Sequence, residues 1–202
     1  MKLVLLHGLG QTAADWQTVA ERAGFSDVDC PELFLLAGGA YTYDRLLQGL
    51  EARYAQERGP LVLCGLSLGA MLALDYALRH GEKVVALVLI AAQDRAPRRM
   101  IDFQNFVFRL LPRKAFAGMG LSREGAICLM RSMRSLDFTT RLSALTCPAT
   151  ILCGEKDRAN LKAAKRLKER LPQAQLHIVP GAGHEINRCA SEAILPYLHA
   201  NE

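Results

Sequence analysis

Residues 61–69 read L-V-L-C-G-L-S-L-G, and this stretch predicts the local fold of the chain around it. Four apolar residues run into a turn that has Ser67 at its centre and a glycine two positions away on each side. Apolar residues then recur at helical spacing from Met71 to Leu78. We therefore predict a buried strand, a very tight turn and a helix, with Ser67 exposed at the tip of the turn.

A serine in this context is typical of a nucleophile elbow, in which the backbone presents the hydroxyl at the end of a parallel strand. Gly65 and Gly69 would let the strand and the helix approach each other closely. The stretch by itself also fits a glycine-rich turn that packs closely and does no chemistry. The choice between the two depends on which residues the fold brings to Ser67.

The composition predicts one domain with a sizeable core. Of the 202 residues, 50% are hydrophobic and 22% are charged, and chains of this length usually form a single domain. No apolar run approaches the roughly 18 residues of a membrane-spanning helix. The N-terminal residues lack the features of a signal peptide. We therefore expect a cytoplasmic protein with no membrane partner.

The cysteines give no sign of a metal site or a redox motif. There are six of them, and no pair has C-x-x-C spacing. We expect all six to be reduced and no metal or other cofactor to be needed. They are Cys30, Cys64, Cys128, Cys147, Cys153 and Cys189.

The net charge of +5 is concentrated in one segment. Residues 94–134 contain nine cations and only three anions, so the remainder of the chain is close to neutral. A basic segment of this kind does not indicate a nucleic-acid partner, and we expect a small-molecule substrate instead. The cations are Arg95, Arg98, Arg99, Arg109, Arg113, Lys114, Arg123, Arg131 and Arg134.

Apolar segments typical of strands alternate with segments of helical periodicity along most of the chain. Continuous apolar runs indicate strands that are covered on both faces. We predict an α/β fold with a mostly parallel, twisted sheet of about six strands and helices on both faces. The last helix is expected over 186–199, where Pro196 can introduce a break. The predicted strands are residues 2–6, 33–36, 61–64, 84–91, 149–153 and 175–179.

Residues 93–145 interrupt this alternation. About 50 residues between consecutive strands is far more than a crossover helix needs, so we predict a functional insertion. Its pattern is mainly helical, and it is rich in Phe, Met and Arg. We expect it to form a helical cap over Ser67, with aromatic and methionine side chains around an apolar pocket. Most of these side chains would pack the cap onto the core.

A serine, an aspartate and a histidine lie in loops that directly follow predicted strands. Four loops, at residues 7–10, 65–69, 154–157 and 181–184, come directly after strands, and parallel sheets bind ligands at these carboxyl ends. The last three contain Ser67, Asp157 and His184 in that order. A serine hydroxyl is a weak nucleophile that needs a base, and the base needs a third group to orient it.

These motifs together resemble the α/β-hydrolase fold family. H-G-L-G at His7, G-L-S-L-G at Gly65, G-E-K-D at Gly154 and G-A-G-H-E at Gly181 follow the family's order of serine, acid and histidine. Many relatives begin with a β-hairpin ahead of the H-G strand. This chain starts on that strand, so we expect a reduced sheet.

The resemblance implies a role for each matching residue. Ser67 would be the nucleophile, His184 its base and Asp157 the acid that orients the base. The backbone N–H groups of Leu9 and Leu68 would form an oxyanion hole. The combination is specific for the fold and for a catalytic triad, and it is poorly specific for a substrate.

Some of these residues have alternative interpretations. Asp94 also follows a strand and could be the acid, although the loop that contains Asp157 fits the commoner pattern. Asp157 could instead cap the N-terminus of the helix that follows it. His184 could be an ordinary loop histidine.

The substrate-binding residues are less well defined by the sequence. His7 could close the first turn through a side-chain hydrogen bond, or contact substrate together with Gly8. Arg98 and Arg99 could be part of a solvated helix face, or hold an anionic substrate such as a carboxylate or a coenzyme A ester.

The favoured function is a serine hydrolase that cleaves a small ester or thioester. A lyase or a C–C bond hydrolase with the same triad is the alternative, and the basic segment mildly favours an anionic substrate of that kind. Epoxide hydrolases and haloalkane dehalogenases of this fold use an aspartate at the position of Ser67, which disfavours those activities. A non-catalytic receptor or scaffold is disfavoured by the complete triad.

Overall fold

A computed structural model describes residues 1–199. Within this range a single six-stranded sheet has the order β2-β1-β3-β4-β5-β6, and every neighbouring pair is parallel. This confirms the predicted fold class. The strands are β1 (Lys2–Leu6), β2 (Val28–Asp29), β3 (Leu61–Leu66), β4 (Val84–Ile90), β5 (Ala149–Gly154) and β6 (Gln175–Val179).

The described part of the chain also contains eight α-helices and several short 3₁₀ turns. None of the described helices is long and apolar enough to cross a membrane. The helices are α1 (Gln17–Arg22), α2 (Leu33–Leu36), α3 (Tyr43–Arg53), α4 (Leu68–Arg79), α5 (Arg98–Leu110), α6 (Arg123–Met133), α7 (Arg158–Arg170) and α8 (Ile186–Cys189).

Both faces of the sheet are covered, which explains the continuous apolar runs of the central strands. Alternate residues of β3 point to opposite faces: Leu61 and Leu63 join one apolar cluster, and Val62 and Cys64 join the other. Helices α3, α4 and α7 contribute to the first cluster, and α1 and α8 to the second. Helix α4, directly after Ser67, is buried along almost its whole length.

Two predicted elements are wrong. Residues 33–36 form the short helix α2 rather than a strand, and the second strand is the two-residue β2 at the sheet edge. The expected helix over 186–199 is also broken, because the backbone at Ala190 leaves the helical region after four residues of α8. The chain continues as separate 3₁₀ turns, and Pro196 is the second residue of the last one, Leu195–Tyr197.

Residues 93–145 lie between β4 and β5 and are mainly helical, as predicted. Their two ends are hydrogen-bonded to each other where they leave the sheet. Ala96 N–H donates to the Leu136 carbonyl at 2.8 Å, and Phe138 N–H donates to the Asp94 carbonyl at 2.9 Å. These bonds form a neck, defined here as residues 94–96 and 136–138, through which the helical segment leaves the core and returns to it.

Candidate active site

Ser67 lies at the tip of a strained turn between β3 and α4. Its φ of 54° and ψ of −109° place it in a backbone region that residues with a Cβ rarely adopt. Hydrogen bonds hold the turn on both sides: Ser67 N–H donates to the Ile90 carbonyl at 2.9 Å, and Met71 N–H donates to the Ser67 carbonyl at 3.0 Å. The strand, turn and helix predicted from residues 61–69 are therefore confirmed.

The two glycines beside Ser67 are needed because backbone packs directly on backbone. A Cβ at Gly65 would lie 2.4 Å from the carbonyl carbon of Gly69. A Cβ at Gly69 would lie 2.1 Å from the carbonyl oxygen of Leu6 in β1. Such distances are far inside van der Waals contact, so no side chain fits at either position.

Ser67 faces a cavity of about 350 Å³ at the carboxyl ends of the strands. All four predicted loops contribute to its walls, through Leu9, Ser67, Leu68, Asp157 and His184. Leu68 is the first residue of α4, so its N–H has no acceptor within the helix and is available to a ligand. The remaining walls come mainly from residues 93–145.

His184 is oriented by Asp157, since the His184 Nδ1 and the Asp157 Oδ2 are 2.6 Å apart. Asp157 is 8% exposed. Burial alone would raise the pKa of its carboxyl, but hydrogen bonds from His184 and Asn160 outweigh this and hold the pKa below its ordinary value. The carboxylate is therefore kept charged beside the imidazole. With Nδ1 occupied, the Nε2 of His184 is the nitrogen left for proton transfer.

Asp157 also caps α7, so the cap interpretation holds, and it is compatible with the contact to His184. Its side chain accepts a hydrogen bond from Asn160 N–H at 3.3 Å. Capping and orientation of His184 are compatible because the two carboxylate oxygens are available to different partners.

Asn160 is a site residue that the sequence motifs did not reveal. Its Nδ2 lies 2.9 Å from both carboxylate oxygens of Asp157 and 3.1 Å from the His184 Nδ1. Gln93 Nε2 in turn donates to the Asn160 Oδ1 at 2.6 Å. Gln93, Asn160, Asp157 and His184 thus form one hydrogen-bonded chain. The spacing of Asn160 three residues after the capping Asp157 is the one signal that could have pointed to it.

Asp94, the alternative acid, is engaged elsewhere. It is fully buried, and its carboxylate accepts hydrogen bonds from the Arg166 Nε at 2.9 and 3.0 Å. Arg170 Nε lies 3.3 Å from the Asp94 Oδ2. Two guanidinium groups of α7 therefore neutralise Asp94, and this pairing fastens α7 to the end of β4.

The structure supports the first of the two roles considered for His7. His7 is fully buried, and its Nε2 accepts a hydrogen bond from Leu33 N–H at 3.0 Å. Its ring also packs edge-on against Phe34, with ring centroids 5.2 Å apart. Gly8 N–H donates to the Gln11 side chain at 3.2 Å. Neither His7 nor Gly8 lines the cavity. Both instead stabilise the first loop through hydrogen bonds outside the cavity wall.

A buried polar cluster connects the first loop to the loop of His184. Gln11 Nε2 donates to Glu185 Oε1 at 3.2 Å and to Asn187 Oδ1 at 3.1 Å. Glu185 directly follows His184 and also accepts from Arg188 at 2.8 Å. Glu185 is therefore a structural neighbour of His184, and it helps to hold the two loops in a fixed relation.

The apolar residues of the helical segment divide into two groups. Met100, Ile101, Met130 and Met133 line the cavity as expected. Phe108 and Phe116 are buried against each other, whereas Phe103 and Phe106 are 67% and 58% exposed. The expectation that the aromatic residues wall the pocket is therefore wrong, and the methionines do so. Arg98 and Arg99 are exposed and do not line the cavity.

A model of the alpha/beta hydrolase family matches residues 3–195. The chain belongs to this family. The family match and the hydrolases among its relatives support a hydrolase enzyme.

The relatives differ in the reactions that their names describe. The chain is 26% identical over 226 residues to the biotin biosynthesis bifunctional protein BioHC of Cellvibrio japonicus. That alignment covers 92% of the chain and 44% of the relative, so the chain spans less than half of that protein. It is 24% identical to a 2-hydroxy-6-oxononadienedioate/2-hydroxy-6-oxononatrienedioate hydrolase of Paraburkholderia phymatum, over 90% of the chain and 80% of the relative.

Among solved structures, a thermophilic esterase from Thermogutta terrifontis superposes with a TM-score of 0.78. The superposition covers 99% of this chain and 88% of the esterase at 21% identity. This similarity is evidence for the fold, and the fold hosts many activities.

Proposed function

We propose that the protein is a serine hydrolase that cleaves a small ester or thioester through an acyl-enzyme. Ser67 is the nucleophile, His184 the general base, and Asp157 the acid that orients it. The observation that carries this proposal is the shared cavity, whose walls include both the strained Ser67 and a histidine with its Nδ1 2.6 Å from a buried carboxylate.

In the first step, the Ser67 Oγ attacks the carbonyl carbon while its proton passes to the His184 Nε2. The carbonyl oxygen becomes an oxyanion, and the N–H groups of Leu9 and Leu68 donate to it. Collapse of the tetrahedral intermediate breaks the bond to the alcohol or thiol, which leaves with the proton from His184. Loss of one oxyanion donor typically costs about 3 kcal/mol of transition-state stabilisation.

In the second step, water attacks the acyl-enzyme carbonyl and gives a proton to the His184 Nε2. The new tetrahedral intermediate releases the carboxylic acid and returns the proton to the Ser67 Oγ. Asp157 stays ionised throughout, because its hydrogen bonds hold its pKa below the ordinary range. Asn160 acts as a positioning residue that keeps the carboxylate aligned with the imidazole.

Residues 93–145 act in this proposal as a cap on a single hydrolase domain. Their methionines give the cavity an apolar wall opposite the strand-end loops. An apolar wall that excludes water strengthens the electrostatic interactions at Ser67. The flexible thioether side chains also fill irregular space, which suits an acyl group of modest size.

Hydrolysis of a C–C bond in an anionic diketone is the second candidate. It is favoured by the similarity to the Paraburkholderia phymatum hydrolase, whose name describes a dioate substrate. The same serine, histidine and oxyanion donors serve both reactions, so the triad geometry does not separate them.

A fluorophosphonate probe tests the activated serine directly. We expect the wild-type protein to be labelled covalently and Ser67→Ala to be unlabelled. Ser135→Ala, which alters an exposed serine away from the cavity, should be labelled as wild type. Intact-protein mass spectrometry measures the adduct. Failure of the folded wild-type protein to react would reject a nucleophilic Ser67.

A matched substrate panel then separates the two reactions. Aryl esters and thioesters of short acids are compared with vinylogous diketones that carry a carboxylate. Turnover of the esters alone supports ester hydrolysis, and turnover of the diketones alone supports the C–C candidate. Either activity should disappear in Ser67→Ala.

A further inference from the structure

A second cavity adjoins the one that contains Ser67. It has a volume of about 230 Å³. The two cavities share lining residues from β4's end, α5 and α7, so a molecule that extends from Ser67 along this wall reaches the second cavity. The shared residues are Gln93, Ala96, Pro97, Met100 and Ala159.

Of the residues that the structure describes, three cations and no carboxylate line the second cavity: Arg95, Lys162 and Arg166. Arg166 is already paired with the buried Asp94. Arg95 and Lys162 have no carboxylate at ion-pair distance among the described residues. Asp137 lies across a backbone bridge from Arg95; its side chain accepts hydrogen bonds from Thr139, and Arg95 acts on it only from beyond ion-pair distance.

Unpaired cations around a concave surface make a favourable site for an anion. Two positive side chains at one cavity repel each other, and an anion between them removes that repulsion. Arginine presents donors in a fork that matches a carboxylate, and lysine adds a compact point charge. The apolar wall at Met100 would accommodate the carbon chain that joins such a carboxylate to the reacting group.

We propose that the second cavity binds a carboxylate of the substrate through Arg95 and Lys162, while the scissile acyl group lies at Ser67. The substrate is then the half-ester or half-thioester of a dicarboxylic acid. This assignment rests on the proposed function. It replaces Arg98 and Arg99, which line neither cavity, as the residues that recognise an anionic substrate.

Paired substrates measure the effect. The 4-nitrophenyl half-esters of succinate, glutarate and adipate carry a terminal carboxylate, and the butyrate, pentanoate and hexanoate esters of equal chain length do not. For at least one chain length, Arg95→Gln/Lys162→Gln should raise the ratio of the half-ester KM to the neutral-ester KM by about tenfold. Circular dichroism checks that the variant is folded.

Arg98→Gln/Arg99→Gln is the matched control, because it removes the same net charge from exposed positions outside both cavities. Its KM ratio should stay at the wild-type value. Equal changes in the two double variants would mean that only long-range attraction acts on the anion, and would overturn the assignment. A ratio that is unchanged at every chain length in Arg95→Gln/Lys162→Gln would overturn it as well.

Binding of diacids that cannot be hydrolysed tests the carboxylate site without relying on catalysis. Calorimetric titration of glutarate and adipate into the wild-type protein should show binding that Arg95→Gln/Lys162→Gln loses and Arg98→Gln/Arg99→Gln retains. If this pattern holds while no ester is hydrolysed, the ester reaction is rejected and the carboxylate site stands. If esters are hydrolysed but neither diacid binds nor the KM ratio changes, the carboxylate site is rejected and the reaction stands.

Discussion

The strand-end loops and the helical segment 93–145 wall the same cavity but are held in different ways. In the loops, backbone touches backbone: a Cβ at Gly69 would lie 2.1 Å from the Leu6 carbonyl oxygen. In the helical segment, a Cβ at Gly125 would lie 2.6 Å from a ring carbon of Tyr41, a half-buried side chain. Backbone contacts cannot yield, whereas side-chain contacts can repack. The loops are therefore the fixed part of the site.

The carboxylates show the same difference. Asp157 in the loops is buried and has hydrogen bonds from His184 and Asn160. Asp102 in the helical segment pairs with Arg134 at 2.9 Å, but both side chains are about half exposed. An exposed pair of this kind contributes little to stability. In the proposed mechanism the chemical steps therefore rest on paired, buried polar groups, whereas the wall that the helical segment gives the cavity is made of side chains that can repack.

The largest difference is expected between Asp157→Asn and Asp102→Asn. The first removes the charge that orients His184, so kcat on an ester should fall about 10⁴-fold. The second should leave kcat within about twofold of wild type. Steady-state kinetics on one aryl ester measures both. Similar activity of the two variants would contradict the role given to Asp157.

The Asp157 carboxylate should also make the free energy of unfolding depend on pH. The pKa of Asp157 is lower in the folded chain than its ordinary value of 3.8. Its charge therefore stabilises the fold above that pH, and the contribution is lost as pH falls through the folded pKa. The free energy of unfolding of wild type should exceed that of Asp157→Asn by more at neutral pH than below about pH 4. Urea titrations at the two pH values measure this gap.

Gly69→Ala and Gly125→Ala test the two kinds of contact next. Gly69→Ala must separate α4 from β1, and we expect it to lower the free energy of unfolding by about 3 kcal/mol or more. Gly125→Ala lies within α6, where alanine favours the helix by about 1 kcal/mol and the Tyr41 ring can move aside. Its stability should stay within about 1 kcal/mol of wild type. Thermal denaturation ranks the pair, and equal destabilisation would remove the distinction.

Asn160→Ala and Asn105→Ala compare a buried asparagine from each region. Without the Asn160 amide, the Asp157 carboxylate loses two hydrogen bonds, and kcat should fall about tenfold to a hundredfold with KM little changed. Asn105 is buried in α5, and its Oδ1 has no hydrogen-bond partner within residues 1–199. Asn105→Ala should leave kcat unchanged. A rise in KM without loss of kcat for Asn160→Ala would point to substrate contact instead of positioning.

The smallest effect is expected for Met100→Ala on the wall of the cavity. Met100 is 41% exposed, so its removal should cost little stability. The loss of apolar contact should raise KM for an aryl ester by about threefold and leave kcat unchanged. Phe103→Ala, on the same helix but outside both cavities, serves as the control and should not alter KM.

Much of the fixed part of the site is predictable from sequence, because its constraints are local. Buried parallel strands require continuous apolar runs, and residues 61–64 and 149–153 show them. The tight turn at Ser67 requires glycines at set distances. The strand predicted at 33–36 is wrong because this local signal is ambiguous. Four apolar residues in a row fit a buried helical turn as well as a strand. The true β2 has only two residues, too few for any period to be visible.

The contacts made between distant residues were not predictable. Gln93 and Asn160 are 67 positions apart and carry no motif, so their hydrogen bond depends on how α7 packs beside the end of β4. Arg95 and Lys162 are brought to one cavity by the same packing. In the helical segment, the amphipathic pattern of α5 predicts a helix but does not tell which apolar side chains face the cavity.

The neck at 94–96 and 136–138 allows the helical segment to change in evolution independently of the sheet. Because the two ends of the segment are joined by hydrogen bonds, the segment leaves the sheet and returns to it across a fixed width. Loop-closure entropy grows only slowly with length, so a segment of different length is tolerated between these ends if it still buries its apolar face against the core. A chimaera that receives the corresponding segment of a relative would then acquire that relative's substrate range while its own loops continue to supply the reaction.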